Sequence, residues 1–200
     1  MRRRFSFTVA ICATLVALTF VFGLLPVIFL LPILIAATCF DWKISLFAGV
    51  FFGLVSLLLS FMFAASPVAI YFITFPWLPI VARLPIPIIA HFIYRLFKKI
   101  VPQENIARKT APIVLAAVFG TIANTFFVGL GILLLPAPYL PNEWEDITLA
   151  FLLLWGGIET GVNAILLPAI VLTLRKAVPR IFAEADLKIT DEEQNQEVIV

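Results

Sequence analysis

Residues Thr110–Gly131, TAPIVLAAVFGTIANTFFVGLG, form a long apolar run around which the rest of the chain can be arranged. It is longer than the roughly 20 apolar residues that a helix needs to cross a bilayer, yet it holds one amide, Asn124, near its middle. Ala116, Gly120 and Ala123 lead up to that amide at helical spacing. Small residues let membrane helices approach closely, and a polar side chain in lipid needs a partner on a neighbouring helix. The stretch therefore predicts a helix in the middle of a bundle, with its polar group turned inward.

The composition of the whole chain agrees with a membrane environment. The 200 residues are 62% hydrophobic and 13% charged, whereas a soluble domain is typically about 45–50% apolar and about 25% charged. We therefore expect an all-α integral membrane protein.

The number of spans follows from the apolar runs and their interruptions. Residues 7–40 carry no charge, and as one helix they would measure roughly 50 Å against about 30 Å of hydrocarbon. This run must therefore fold back, and Gly23 and Pro26 mark the break. Residues 64–81 hold three prolines and predict a partly buried loop on the outer side, too broken for a regular span but able to hold a helical turn. The sequence predicts a six-transmembrane-helix bundle over residues 1–182, with helices at about 7–25, 27–40, 44–63, 82–99, 110–135 and 147–175, and an acidic, disordered tail over 183–200.

The distribution of basic residues predicts the orientation. The chain has 14 Lys and Arg residues. All except Arg83 lie at the N-terminus, around the turn between predicted helices 2 and 3, around the loop between predicted helices 4 and 5, or at the C-terminal end. With six helices these positions share one face of the membrane, and basic residues favour the cytoplasmic face. We therefore expect both termini in the cytoplasm.

Five polar or aromatic side chains within the predicted spans are candidates for a binding site. On the last helix Trp155, Glu159 and Asn163 follow at i, i+4 and i+8, and Glu159 is the one acid inside a predicted span. Arg83 lies a few Å below the predicted outer surface. The depths of Arg83 and Asn124 in the membrane are compatible with those of the three side chains on the last helix. Ionisable groups at such depth indicate function. We expect Arg83, Asn124, Trp155, Glu159 and Asn163 to converge on a small-molecule pocket in the outer half of the bundle.

Simpler interpretations of the same residues remain open. Asn124 could serve only to join helices, and Glu159 could form a structural hydrogen bond across the bundle, for example to Asn124. Small-residue stripes on two helices are packing surfaces, most of which are internal to a monomer. One stripe includes Ala10, Ala13 and Ala17 on the first helix; the other comprises Ser45, Gly49, Gly53, Ser56 and Ser60 on the third.

Several stretches resemble the S components of energy-coupling factor (ECF) vitamin transporters over about residues 7–178. AICATLVALTF contains the Ala13-x-x-x-Ala17 element of the family's first helix. ILIAATCFDWKISLFAGVFFGLVSLL is similar to its second helix, turn and glycine-rich third helix, and VARLPIPIIAHFIYRLFKK to its fourth. GTIANTFFVGLG resembles the Gly-x-x-x-Asn-Thr element of the pantothenate-type branch. GGIETGVNAILLPAIVLTLRK is similar to the family's last helix.

The resemblance implies a substrate-capture protein of the bacterial plasma membrane, without chemistry of its own. It implies a transmembrane coupling subunit and two cytoplasmic ATPase subunits as partners, with Ala10, Ala13 and Ala17 as the docking face. The chain itself has no GxxxxGK[ST] motif. We expect a water-soluble vitamin such as pantothenate as ligand, because Arg83 suits a carboxylate, and no catalytic residue, metal, cofactor or nucleic-acid partner.

Two other functions compete with this one. A membrane-embedded enzyme acting on a lipid-like substrate would need a nucleophile with a base, or a metal cluster; the chain has one histidine and no HExxH motif. A bundle interior without polar groups would favour a structural subunit that binds no ligand. The polar side chains predicted inside the bundle argue against that function.

Overall fold

The computed structural model describes residues 2–63, 66–102, 105–135 and 143–179, and most side chains from residue 8 onward. These residues form helices and short connections, with no strand among them. A 3-10 turn, Pro26–Ile28, lies between the first two helices. The α-helices are α1 (Arg2–Gly23), α2 (Leu31–Cys39), α3 (Trp42–Met62), α4 (Pro67–Thr74), α5 (Leu78–Val81), α6 (Pro85–Ile100), α7 (Ile106–Leu134) and α8 (Glu143–Ala177).

This all-helical architecture agrees with the helical membrane protein that the composition predicts. Within the described residues, four segments are long and apolar enough to cross a membrane: α3, the α5–α6 pair, α7 and α8. The apolar part of α1, Thr8–Gly23, is shorter. The six-helix count and the cytoplasmic termini therefore stay predictions, and the tail at 183–200 lies outside the described residues.

The structure has a break in the first apolar run at the predicted place, but the helix after the break, α2, is shorter than predicted. The backbone leaves the α-helix after Gly23, passes through the 3-10 turn and starts α2 at Leu31. Nine residues of α-helix measure only about 13 Å, so α2 alone does not span a bilayer. All nine are buried, as expected of a helix that is apolar on every side.

Residues 66–81 are more helical than the partly buried loop with a helical turn that the sequence predicts, because their prolines begin helices instead of breaking them. Ser66 caps α4 by accepting a hydrogen bond from the Ala69 backbone N–H at 3.2 Å, and Pro67 occupies the first helical position. Pro79 lies in the first turn of α5. The first turn is where a missing backbone N–H costs nothing. This segment is thus folded against the bundle, with Tyr71, Phe72 and Leu78 buried.

The last two helices are longer than predicted. The seventh helix starts at Ile106, inside the expected basic loop, and α8 starts at Glu143, inside the expected acidic loop. Residues 136–142 of that loop lie outside the described part of the chain. Pro112 and Pro168 lie within α7 and α8 without ending either helix.

The central position predicted for the Thr110–Gly131 stretch is confirmed. Its helix, α7, packs between α6 and α8. Ala116, Gly120, Ala123 and Asn124 are all buried, and a Cβ on Gly120 would lie 2.6 Å from the Leu34 side chain of α2. The small face therefore lets α7 approach α2 and α6 closely.

The stripe on α3 is internal packing. A Cβ added at Gly53 would lie 2.6 Å from the Ile80 Cα atom, and one at Gly49 would lie 2.8 Å from Pro87 Cγ. The start of α3 is fixed by Asp41, whose side chain accepts a hydrogen bond from the Ile44 backbone N–H, and by Ser45, which donates to the Ala36 carbonyl of α2. Helices α2, α3, α5 and α6 are thereby held in one unit.

Candidate functional site

A cavity of about 480 Å³ lies in the half of the bundle where α1 and α3 end and α8 begins. Ligand pockets typically have volumes of about 300–1,000 Å³ with apolar walls and a few placed polar groups. This cavity has that character. Its polar lining side chains are Ser56, Ser60, Ser66, Arg83, Asn124, Thr125 and Glu159, and its aromatic ones are Phe29, Phe63, Phe72, Phe151 and Trp155.

Arg83 lies at the junction of α5 and α6 and is 7% exposed. Three phenyl rings surround its guanidinium: Cζ lies 4.5 Å from the ring centroid of Phe52, 5.3 Å from Phe72 and 5.6 Å from Phe29. These distances are within the cation–π range of about 6 Å. Three different elements thus fix the direction of one cationic side chain.

The backbone around Arg83 offers no free donor to a ligand. The N–H groups of Arg83 and Leu84 both donate to the Ile80 carbonyl, and that of Ile86 donates to the Arg83 carbonyl. Pro85 and Pro87 have no N–H. Recognition of an anion at this helix start therefore falls to the Arg83 guanidinium, whose buried Nε atom has no hydrogen-bond partner.

Asn124 brings a side-chain amide from α7 to the wall of the same cavity. The residue is 8% exposed, and its buried Oδ1 atom has no hydrogen-bond partner. Buried polar atoms are almost always hydrogen-bonded, so the unpartnered oxygen makes Asn124 a candidate ligand residue. The Oδ1 atom of Asn163, outside the cavity, is also without a partner.

Glu159 lies on α8 and is 5% exposed. The Leu30 backbone N–H, at the start of α2, donates to its carboxyl group, and Arg83 attracts it electrostatically. A carboxylate is stabilised at a helix N-terminus, where unsatisfied N–H groups and the helix dipole favour negative charge. Glu159 thus ties α8 to the break between α1 and α2 and adds an acceptor to the cavity.

Trp155 forms part of the wall one turn before Glu159. Its ring stacks on that of Phe151, with 6.0 Å between centroids and 7° between planes. Gly156, also in the lining, faces the Thr125 side chain of α7, which a Cβ at this position would overlap. The glycine therefore brings α7 and α8 together next to Asn124 and Glu159.

The structure brings four of the five predicted site residues to the cavity and leaves one outside it. Asn163 is fully buried and does not line the cavity. Its Nδ2 donates to the Thr121 hydroxyl at 3.3 Å and so joins α8 to α7. His91, the one histidine of the chain, donates from Nδ1 to the Ala37 carbonyl at 2.9 Å.

The three alanines predicted as a docking face are exposed. Ala10, Ala13 and Ala17 lie on the side of α1 opposite Leu15 and Thr19, which are buried against the rest of the bundle. Unlike the stripe on α3, this one has no helix of the described chain packed against it.

The three phenyl rings around Arg83 and the contribution of Ser56 to the cavity are not predicted from the sequence. Phe29, Phe52 and Phe72 are three of 20 phenylalanines, and nothing local distinguishes them, because their common neighbour is set by tertiary structure. Ser56 was assigned to the packing stripe alone, yet it lines the cavity and its buried Oγ has no partner.

Chemically, the cavity presents one oriented cation, one amide, one carboxyl group and hydroxyls within aromatic walls. Such a set can bind and orient a small polar molecule. Among the described residues, no three His, Cys, Asp or Glu side chains come together in a group that could hold a metal ion. Comparison of the chain with models of known protein families gives no match, and comparison with curated protein sequences gives none either.

Proposed function

We propose that this protein is the substrate-capture subunit of an ATP-driven, ECF-type importer in the bacterial plasma membrane. The observation that carries the proposal is the cavity with Arg83 and Asn124, two buried side chains that each have an unpartnered polar atom. Such groups are costly in a membrane unless something satisfies them. A polar ligand in the cavity would do so.

The broken helices support a transport role. The break between α1 and α2 and the break between α5 and α6 both contribute to the cavity, the first through Leu24, Phe29 and Leu30 and the second through Arg83. Non-helical backbone at membrane depth is tolerated only where it is buried in protein or lines a cavity. Discontinuous helices that meet at a substrate site are common in transporters.

The proposed substrate is a water-soluble vitamin or a related small molecule that carries a carboxylate. The resemblance to the pantothenate-type branch makes pantothenate the first candidate, and the guanidinium of Arg83 matches a carboxylate in charge and geometry. In the predicted orientation the cavity lies in the outer half of the membrane, where it would receive substrate from outside.

The proposed partners are a transmembrane coupling subunit and two cytoplasmic ATPases. The exposure of Ala10, Ala13 and Ala17 supports a docking face for a further helix. ATP hydrolysis belongs to the partners in this proposal, since the chain carries no phosphate-binding loop.

The first test is mass spectrometry of the small molecule that co-purifies with the protein, followed by calorimetric titration of that molecule. Asn124→Ala should raise the Kd about 10- to 100-fold, because an unpaired buried ligand group costs about 1–3 kcal/mol and about 1.4 kcal/mol is tenfold. The matched control is Asn163→Ala, which removes a buried amide outside the cavity. The proposed capture role is wrong if the folded protein binds no small molecule, and the proposed site is wrong if Asn124→Ala binds normally.

A further inference from the structure

A group of positive charges lies at the end of the bundle opposite the cavity. Lys98 and Arg175 are in the last turns of α6 and α8. These helices belong to two of the candidate membrane spans, which end at Ile100 and Ala177. Both cations are therefore close to the depth at which a span leaves the hydrocarbon and meets the lipid headgroups.

Tyr94 joins these two cations. Its hydroxyl accepts a hydrogen bond from Arg175 Nη2, and its ring centroid lies 5.7 Å from Arg175 Cζ and 6.0 Å from Lys98 Nζ. Tyr94 is 6% exposed, whereas both cations are partly exposed. The contact with Arg175 joins residues 81 positions apart in the chain. Tertiary structure thus holds positive groups from two helices beside one buried ring, at the surface of the bundle.

We propose that Lys98, Arg175 and Tyr94 form a binding site for the phosphate group of an anionic phospholipid. This inference is independent of the proposed capture function and concerns the other end of the bundle. Its ligand is a lipid of the surrounding bilayer and not a transported molecule.

The electrostatics of this end favour an anion. Lys98 and Arg175 contact the same ring and repel each other, and Arg95 adds a third partly exposed cation on α6. Among the described residues, the one acidic side chain at this end is Asp41, which accepts a hydrogen bond from the Ile44 backbone N–H at the start of α3. Clustered charges of one sign raise the local concentration of the opposite ion. A bound anion would lower the repulsion between the cations.

The side chains at this position suit a phosphate. A guanidinium has five N–H donors, more than the one hydroxyl of Tyr94 can accept, and its planar fork matches two phosphate oxygens. The ammonium group of Lys98 adds a compact charge with donors that rotate freely. Basic pockets between membrane helices at the cytoplasmic side are a recognised way of binding phospholipid headgroups.

The neighbouring surface of α6 favours a lipid over a soluble phosphate. Phe92 and Leu96 lie one turn apart and are 65% and 52% exposed, within the same candidate span as Lys98. Acyl chains that pack along these side chains would hold the lipid at a depth where its phosphate reaches the two cations. A soluble phosphate has no such contact.

The test measures which lipids stay bound. The purified full-length protein is reconstituted in nanodiscs of phosphatidylcholine with a minor fraction of phosphatidylglycerol and then solubilised in mild detergent. Mass spectrometry gives the ratio of the two lipids on the protein. We expect phosphatidylglycerol to be enriched about tenfold over its share of the bilayer, and Lys98→Gln and Arg175→Gln each to lower that enrichment about fivefold.

The chain offers matched controls at the same two helix ends. Lys99 and Lys176 are exposed neighbours of the proposed site, and Lys99→Gln and Lys176→Gln remove the same charge. These two variants should keep the enrichment within about twofold of the original protein, because a partly screened exposed charge contributes little. Arg175→Lys keeps the charge and should retain most of the enrichment, which separates loss of the site from loss of the fold.

The inference is overturned if the original protein does not enrich phosphatidylglycerol, or if all four glutamine variants lose the enrichment equally, as a general attraction of basic residues to anionic lipid would require. Displacement of the lipid by soluble glycerol phosphate at a similar concentration would overturn the assignment to a lipid. If Arg175→Gln keeps the enrichment and loses co-purified protein subunits, the cations bind an acidic protein surface and the inference is wrong. The titrations at the cavity test the capture function separately.

Discussion

Arg83 is held in the interior by three phenyl rings instead of by a directly bonded carboxylate. Cation–π contacts contribute about 0.5–2 kcal/mol each, more where water is excluded, so the cage offsets part of the cost of burying the charge. The rings come from the α1–α2 connection, from α3 and from α4. The three rings thereby fix the position of the guanidinium beside the cavity.

We predict that Phe52→Leu destabilises the protein by about 1–3 kcal/mol, through the loss of the nearest cation–π partner and of buried ring volume. Phe52 is fully buried, whereas Phe61 on the same helix is 58% exposed. Phe61→Leu is therefore the matched control, with an expected change within about 0.5 kcal/mol. The free energy of unfolding in mixed detergent measures both. Equal effects of the two substitutions would contradict the role of the cage.

Single residues show what sequence can and cannot predict of the site. Asn124 and Glu159 are conspicuous because each is a polar group in a long apolar run, and the structure places both in the cavity wall. Asn163 satisfies the same criterion and lies outside the cavity, because its position on α8 turns it to Thr121. The sequence placed Arg83 at the mouth of the fourth helix, but α4 folds over it through Phe72, a long-range contact that no local pattern encodes.

At the scale of helices, the contact between α7 and α8 sets the width of the cavity. The two helices meet where Gly156 faces the Thr125 side chain, whereas a Cβ added at Gly157, one residue on, would have nothing within 4 Å. The two neighbouring glycines therefore serve different purposes, since one is required for a close approach and the other faces outward.

Gly156→Ala should destabilise the protein by about 1–3 kcal/mol, because the added methyl group overlaps Thr125 and forces the helices apart. It should also weaken ligand binding, since Thr125 and Gly156 both line the cavity. Gly157→Ala should be neutral or stabilising by about 0.5–1 kcal/mol, as expected for alanine in a helix. Unfolding and ligand titration of the pair provide the measurement. If both variants behave alike, α7 and α8 do not meet as the structure has them.

Helix identity was more predictable than helix boundaries. The long apolar runs correspond to α3, α6, α7 and α8 in the structure, because an uninterrupted hydrophobic stretch has few other solutions in a membrane. Residues 66–81 are more helical than predicted because a proline interrupts a helix in its interior but starts one in its first turn. Sequence alone does not say which applies until the capping residue, here Ser66, is recognised.

At the scale of the whole molecule, the orientation in the membrane rests on the basic residues. Reporter cysteines at exposed positions next to the 4–5 and 5–6 loops can test this orientation. Asn105→Cys lies at the start of α7 and Asp146→Cys in the first turns of α8. Both variants also carry Cys12→Ala and Cys39→Ala, so that the introduced cysteine is the one thiol that reacts.

The positive-inside rule predicts that a membrane-impermeant maleimide labels Asp146→Cys in intact cells and labels Asn105→Cys only after lysis. Prior blocking with a permeant thiol reagent should abolish both signals, which is the control for specificity. Labelling of Asn105→Cys in intact cells, with Asp146→Cys protected, would reverse the orientation and place the cavity towards the cytoplasm.

The docking face on α1 leads to a prediction about assembly. Ala10, Ala13 and Ala17 form an exposed strip of small side chains, and large side chains there would hold a partner helix away. Replacing Ala13 and Ala17 by Trp should abolish co-purification with the coupling and ATPase subunits and abolish uptake, while the solitary protein binds its ligand with unchanged Kd. Ile165→Trp on α8 is the control, since Ile165 is 74% exposed and lies far from α1 in the chain. Loss of ligand binding in the double variant would mean that the strip supports the bundle itself, and normal assembly would place the partner on another face.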